Sequence, residues 1–391
     1  MRPALFYSDA MAAYDLGPHH PLKPERFTLA VDLMRAYGLI GEERNLDPVH
    51  PIEFFSPSGP ASGADLALVH DEAYIATVKD ASAYPERYRF VTRHGIGVGD
   101  TPAAHGLHDV AALICGGTIA ALSRVLDAPG PARSFAPAGG LHHAHRNSAA
   151  GFCIYNDPAV AIAVALRERP GTRIAYLDID AHHGDGVQEA FYDTANVLTI
   201  SLHESGRYLF PGTGHAEETG IGAGTGYAIN VPLPPFADAE CYKVVFDEVV
   251  APVLAAFSPD ALVAQCGADA HHADPLTHLG LTLSGMRDLY RRIVEIADAS
   301  CGGRLACCGG GGYGTYSVVP RAWTMLAAVL AGVDVPDALP EEWRARSSSM
   351  SDEEAPRTIT EDTAPPGDPG TALEHTRSVV TQLLRSVTLL K

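Results

Sequence analysis

Residues 173–186 read RIAYLDIDAHHGDG, and the reading of this stretch decides the fold class. Ile174, Ala175, Tyr176 and Leu177 form a short apolar run of the kind buried on both faces in a parallel sheet. Asp178, Asp180, His182, His183 and Asp185 follow at once. Carboxylates and imidazoles are costly to bury unless a cation, a proton or a hydrogen bond compensates them, so a strand ending in such a cluster predicts a site at its carboxyl end. Asp180 and His182 stand two apart. In extended backbone both side chains therefore leave on one side and converge on one ion, and that donor pair suits zinc or a similar divalent metal.

The same grammar recurs outward from this strand. ALFYS near the start, VLTISL at 197–202, ALVAQC at 261–266 and RLACC at 304–308 read as strands. VAALICGGTIAALSRVL, PAVAIAVALRER and the stretch from Gly285 to Ala297 read as helices. The alternation predicts an α/β fold, an open and largely parallel sheet flanked by helices in a single domain. Four strands end in DIDAHHGDG, HESGRYLFPGTG, GADAHHAD and GGGGYGTY. Ligands in such sheets sit beyond the carboxyl ends of the strands, so these four tails are expected to meet. The catalytic domain is expected over residues 1–340. A polar, proline-rich flexible linker is expected over 341–371, and a C-terminal helix over 372–391, docked on the body or on another subunit.

With 391 residues, 46% of them hydrophobic, the chain can bury a substantial core. A formal net charge of −19 argues against nucleic acid or an anionic membrane as the main partner. Seven scattered cysteines with no CxxC pair read as reduced core residues of a cytoplasmic protein. The N-terminus lacks a basic segment leading into an apolar stretch, and no uncharged apolar run of membrane-spanning length is expected.

The candidate metal ligands are Asp180, His182 and Asp274, the last chosen partly from the family resemblance given below. Two carboxylates and a neutral imidazole balance a divalent charge and leave a coordination position open, as in a catalytic site. A plainer reading makes Asp180 and His182 a capping acid and a satisfied core histidine, and the density of polar groups around them decides against it. His142 and His143, in GGLHHAHRNSAAGFC, are candidates for the acid and base of amide hydrolysis. Adjacent histidines alone are weak evidence, and His19–His20 and His271–His272 read as loop residues or as supports of the ligands. Asp178 and Asp185 would orient the histidine pair. Tyr313 follows Gly309 to Gly312, and its phenol would donate to a carbonyl oxygen gaining negative charge. A phosphate-cradling reading of the glycines fails because no GxxxxGK[ST] accompanies them.

HPLKPER at 20–26, GGLHHA, GFCIYND, DIDAHHGDG, FPGTG, QCGADAHHADPL and GGGGY together resemble the zinc-dependent histone deacetylase family. GGGGYGTYSVVPRAWT is most similar to its bacterial acetoin-utilisation deacetylase branch. The resemblance runs in order over roughly residues 3–335. It implies the arginase/deacetylase fold and hydrolysis of N-ε-acetyl-lysine to lysine and acetate, with zinc, or ferrous iron in its place, as cofactor. Asp180, His182 and Asp274 then fall on the metal ligands, His142 and His143 on the active-site pair, and Tyr313 on the carbonyl-polarising tyrosine. Gly151, Phe152 and Phe210 match the substrate tunnel, Asp100 a carboxylate at its rim, and Arg26 an arginine of an internal channel. Potassium is implied at two sites, one of Asp178, Asp180, His182, Ser201 and Leu202, the other of Phe191, Thr194, Val197 and Tyr227. HHADP at 271–275 departs from the smaller residues typical of eukaryotic members, which leaves substrate preference open. The branch implies an acetylated metabolic enzyme such as an acyl-CoA synthetase as partner rather than histones. Three other readings stand beside it: an acetylpolyamine amidohydrolase, a two-metal ureohydrolase and an inactive acetyl-lysine-binding module.

Overall fold

The computed structural model describes residues 1–42, 49–97, 99–352, 354–360, 367–387 and 389. Its strands are β1 (Ala4–Phe6), β2 (Glu53–Phe55), β3 (Ala132–Ala136), β4 (Ile174–Asp178), β5 (Val197–Glu204), β6 (Ala228–Leu233), β7 (Ala261–Gln265) and β8 (Arg304–Cys308). They form one sheet in the order β2-β1-β3-β8-β7-β4-β5-β6, with every pairing parallel. Every residue of β4, β5 and β7 is buried, because helices cover both faces. The four strands whose tails carry the polar sequences are neighbours, so parallel pairing delivers all four tails to one end of the sheet.

The helices are α1 (Glu25–Ala36), α2 (Gly63–Leu66), α3 (Glu72–Ala83), α4 (Leu107–Leu126), α5 (Asp157–Glu168), α6 (Asp185–Phe191), α7 (Ala239–Val245), α8 (Ala251–Phe257), α9 (Leu283–Cys301), α10 (Val318–Ala331), α11 (Glu341–Ser349) and α12 (Pro369–Ser386). The start and stop of α9 follow local chemistry. The Thr282 hydroxyl accepts the Gly285 N–H at its N-cap, and Gly302 at φ 62° closes it. Leu283, Met286, Tyr290, Ile293 and Ala297, at spacings of three and four, are buried. Trp323 of α10 donates its indole N–H to the Cys266 carbonyl at 3.0 Å, tying that helix to the end of β7. All seven cysteines are buried and unpaired.

Helix α4 is, by length and composition, apolar enough to cross a membrane, with the charges of Asp109 and Arg124 inside it. More than half of it is buried in the fold, where it packs on α5 and β3 as a core helix. The stretch 341–371 is not a featureless linker. It opens with α11, whose Trp343 is buried and donates its indole N–H to the Leu29 carbonyl at 2.8 Å, and Ile359 is also buried. Two aromatic or aliphatic anchors outweigh the polar composition around them. Residues 353 and 361–366 of that stretch, and 388 and 390–391 of the expected terminal helix, lie outside the described residues.

The terminal helix runs Pro369–Ser386 and is part of the body. Ala372, Thr376, Val380 and Leu383 are buried on its inner face, which meets α7 and the edge strand β6. Covering that edge removes a template for intermolecular strand pairing. Leu383→Ala is expected to lower the free energy of unfolding by about 2–4 kcal/mol, read as a shifted urea midpoint. An unshifted midpoint would show that the helix does not carry core packing.

Candidate active site

Asp178 closes β4, and each of its oxygens is committed. Oδ2 accepts the Tyr176 hydroxyl at 2.6 Å and faces His142 Nδ1 at 2.8 Å, while Oδ1 accepts the Asp180 N–H at 3.1 Å. Asp180 is clamped from the neighbouring strands. Its Oδ2 accepts Gln265 Nε2 of β7 and the Gly311 N–H beyond β8, both at 2.7 Å, and its Oδ1 accepts the His182 N–H at 3.0 Å. His182 Nδ1 lies 3.2 Å from Asp180 Oδ1 and 2.9 Å from Asp269 Oδ2. The other Asp269 oxygen accepts the Ala181 N–H at 2.8 Å. One ligand atom each from Asp180, His182 and Asp269 lies within 4.8 Å of the others, and all three residues are buried.

Among the described residues the group that could hold an ion includes Asp269 and not the expected Asp274, and the choice of Asp274 is corrected accordingly. Asp269 and Asp274 both follow β7, but the turn between them separates their roles. Asp274 Oδ2 accepts the Tyr313 N–H at 2.8 Å and its Oδ1 accepts the Leu276 N–H at 3.0 Å. Asp274 thus fixes the backbone of the catalytic tyrosine candidate rather than joining the ligand trio. The glycines around the trio leave no choice of residue. A Cβ on Gly311 would fall 2.0 Å from Asp269 Oδ2, and one on Gly267 would fall 2.3 Å from Asp180 Oδ2.

The charges fit a divalent cation. Burial, then the nearby charge of Asp180, pushes the Asp269 carboxyl up to about 7. Burial disfavours charge on His182 too, but the flanking carboxylates of Asp180 and Asp269 win and raise it to about 10. Two buried carboxylates crowding one imidazole nitrogen are under-compensated, and a cation bound by these three donors would relieve both effects.

His142 and His143 meet through their Nε2 atoms at 3.0 Å, edge by edge with the trio. Each Nδ1 rests on its own carboxylate, His142 on Asp178 at 2.8 Å and His143 on Asp185 at 2.7 Å, so the orienting roles expected of these acids match the geometry. The two rings are driven apart electrostatically. Burial lowers His142, but Asp178 and Asp180 more than offset it and raise it to about 9. Burial and the neighbouring His142 hold His143 down at about 4. With the two Nε2 atoms 3.0 Å apart, one must hold a proton and the other accept it, and the surroundings favour His142 as the donor and His143 as the acceptor.

The remaining expected residues surround this centre. Tyr313 is half-buried, edge-on to His182 with ring centroids 6.4 Å apart and to Phe152 at 5.7 Å. Burial, then the charge of Asp269, raises its phenol well above the usual range, so it stays a donor. Phe210 lies edge-on to His143 at 5.1 Å. Gly151 takes φ 51°, and a Cβ there would meet His143 Cδ2 at 2.3 Å, while its N–H donates to Asp100 Oδ2 at 2.9 Å on the exposed rim. Arg26 is fully buried beneath the site and donates to the Gly312 carbonyl at 3.1 Å. Of the residues matched to monovalent cations, Asp178 pairs in register with Ser201 across β4 and β5, with Leu202 next along. Phe191 ends α6, Thr194 follows it, Val197 opens β5, and the Tyr227 carbonyl accepts the Thr199 N–H at 2.9 Å.

Several contributors escaped the sequence reading. Tyr176, Gln265 and Asp157 look like ordinary strand and helix residues. Asp157 accepts the N–H groups of Gly140 and Leu141 at 3.0 and 2.8 Å and so sets the loop that presents the histidines. Asp269 had a signal, an acid close behind a buried strand as Asp180 is behind β4, but spacing alone does not separate it from Asp274. Asp269→Ala is expected to abolish stoichiometric divalent metal binding, whereas Asp274→Ala should retain it, as read by elemental analysis after zinc loading and gel filtration. Retention by the first variant would return the ligand role to another acid.

A histone deacetylase domain model matches residues 20–330. The acetoin utilization protein AcuC of Bacillus subtilis is 40% identical over 345 residues, covering 88% of this chain and 86% of that one. That of Staphylococcus xylosus is 33% identical over 338 residues, covering 86% and 85%. A crystal structure of an HDAC homolog complexed with SAHA superposes with a TM-score of 0.85 at 31% identity, covering 98% of this chain and all of that one. An HDAC homolog from Aquifex aeolicus gives 0.84 at 30% identity, covering 97% and 99%. With a match of this extent on the fold and site described, the chain belongs to the histone deacetylase family and is an AcuC-like amidohydrolase.

Proposed function

We propose that the chain is a zinc-dependent protein lysine deacetylase that hydrolyses the N-ε-acetyl-lysine amide to lysine and acetate. One observation carries the reading: two buried histidines share an Nε2 contact, each braced by its own carboxylate, beside three buried groups placed closely enough to hold one ion. Asp180, His182 and Asp269 would hold the metal, which when bound supplies Lewis acidity to the carbonyl and to the attacking water.

The protein's own residues account for the proton traffic. His143, neutral near pH 7, accepts a proton from the attacking water. Tyr313 donates its hydroxyl hydrogen bond to the carbonyl oxygen as negative charge builds there. As the carbon–nitrogen bond breaks, the histidine pair returns a proton to the departing amine, which leaves as lysine. Phe152 and Phe210 wall the approach and suit the apolar stem of an acyl-lysine, with Gly151 and Asp100 at the rim. Potassium at the two carbonyl-rich sites belongs to the same reading, as does a cytoplasmic location. The same reading takes an acetylated metabolic enzyme such as an acyl-CoA synthetase as substrate.

Turnover of an acetyl-lysine peptide should disappear with a chelator and return with zinc; recovery with ferrous iron alone would replace zinc as the cofactor. His143→Ala should lower kcat by about 10²–10⁴-fold, and Tyr313→Phe by about 10²–10³-fold. Turnover of N-acetylputrescine with inert peptides would overturn the substrate class in favour of an acetylpolyamine amidohydrolase. Absence of any chelator-sensitive deacetylation would overturn the reading itself.

A further inference from the structure

The two carboxylates behind the histidine pair are not equivalent. Asp178 is buried and receives donors from inside the fold, the Tyr176 hydroxyl and the Asp180 N–H besides His142. Asp185 instead divides its oxygens. Oδ1 faces His143 Nδ1 at 2.7 Å and accepts the Gly186 N–H at 2.9 Å, while Oδ2 looks outward to His145 Nε2 at 3.4 Å. The other ring nitrogen of His145 lies 2.6 Å from Glu189 Oε2, one turn further along α6. The chain His143–Asp185–His145–Glu189 thus leads from the centre to a groove of about 830 Å³ lined by His145, Asp185, Glu189 and Phe210.

We propose that His145 is a positioning residue of the active site, whose imidazolium pins the outer oxygen of Asp185 so that the inner oxygen stays on Nδ1 of His143. The inference rests on the deacetylase reading above, and it names a third histidine that works through another residue. A carboxylate held on one oxygen only can swing about its Cβ–Cγ bond, and the imidazole it orients swings with it. A cation on the second oxygen blocks that rotation. A carboxylate faces each nitrogen of His145, Glu189 at 2.6 Å in a hydrogen bond and Asp185 at 3.4 Å as an ion-pair contact, and two anions on one ring favour its doubly protonated form. The carboxylates of Asp185 and then Glu189 raise His145 to about 10, in agreement with that geometry. The other ionisable groups near it are His70, whose Nδ1 meets the His145 carbonyl at 2.9 Å, and Arg146, paired with Asp71 at 2.8 Å.

The test compares the zinc-loaded wild type with His145→Gln and His145→Lys in kcat and KM on an acetyl-lysine peptide. His145→Gln is expected to lose about tenfold in kcat with KM within about twofold, and His145→Lys, which restores the cation, to recover most of it. An unchanged kcat in His145→Gln, or a Lys variant as impaired as the Gln variant, would overturn the proposal. A second measurement does not depend on turnover. Nitrogen-15 imidazole spectra of the wild-type holoenzyme at about pH 8 should show both His145 ring nitrogens protonated. A neutral His145 ring would overturn the proposal even if deacetylation is robust, whereas wild-type protein with no turnover would sink the deacetylase reading alone.

Discussion

Two buried carboxylates, Asp180 and Asp269, press on a single imidazole nitrogen of His182, and the rest of the site is arranged to make that tolerable. Like charges about 4 Å apart repel by about 4 kcal/mol even at an effective dielectric constant near 20. The fold answers with directed donors. Asp180 receives Gln265 Nε2 and the Gly311 N–H, and Asp269 receives the Ala181 N–H. What these neutral donors leave uncompensated is the charge a divalent cation would supply.

Each of those donors comes from a different neighbour in the sheet, and here architecture and chemistry become one constraint. β4 supplies Asp178 and, just beyond it, Asp180; β7 supplies Gln265 and leads to Asp269; β8 leads to the glycine run. Only adjacent parallel strands bring three carboxyl ends to one place without long excursions. The glycines are the steric consequence of packing loop backbone onto carboxylate oxygens: any side chain on Gly267 or Gly311 would overlap the ligands. The same crowding places Gly151 against His143. The site is rigid because backbone rather than flexible side chain forms much of its wall.

Much of this was legible beforehand. The apolar run 174–177 followed by acids and histidines implied a buried strand ending in a site, and the repeated strand–tail pattern implied a parallel sheet. Polar composition misled over 341–360, where Trp343 and Ile359 are enough to hold the segment on the body. Length and apolarity alone would have allowed α4 to span a membrane, yet its partners are protein. Asp157 and Tyr176 gave no signal at all, since an acid at a helix start and an aromatic in a strand are commonplace. Their roles exist only because the chain returns to them from a distance.

The sequence by itself determined which residue types can carry the chemistry and where along each strand they stand, because burial cost and the two-residue repeat of extended chain are local properties. The tertiary structure decided which of two acids five residues apart in HHAD and GAD completes the trio. It also decided that the two histidines of the pair rest on different carboxylates, Asp178 and Asp185, and that a third histidine reaches Asp185. Those outcomes depend on distances between atoms far apart in the chain, and such distances are set only when the strands pair and the loops close on one another.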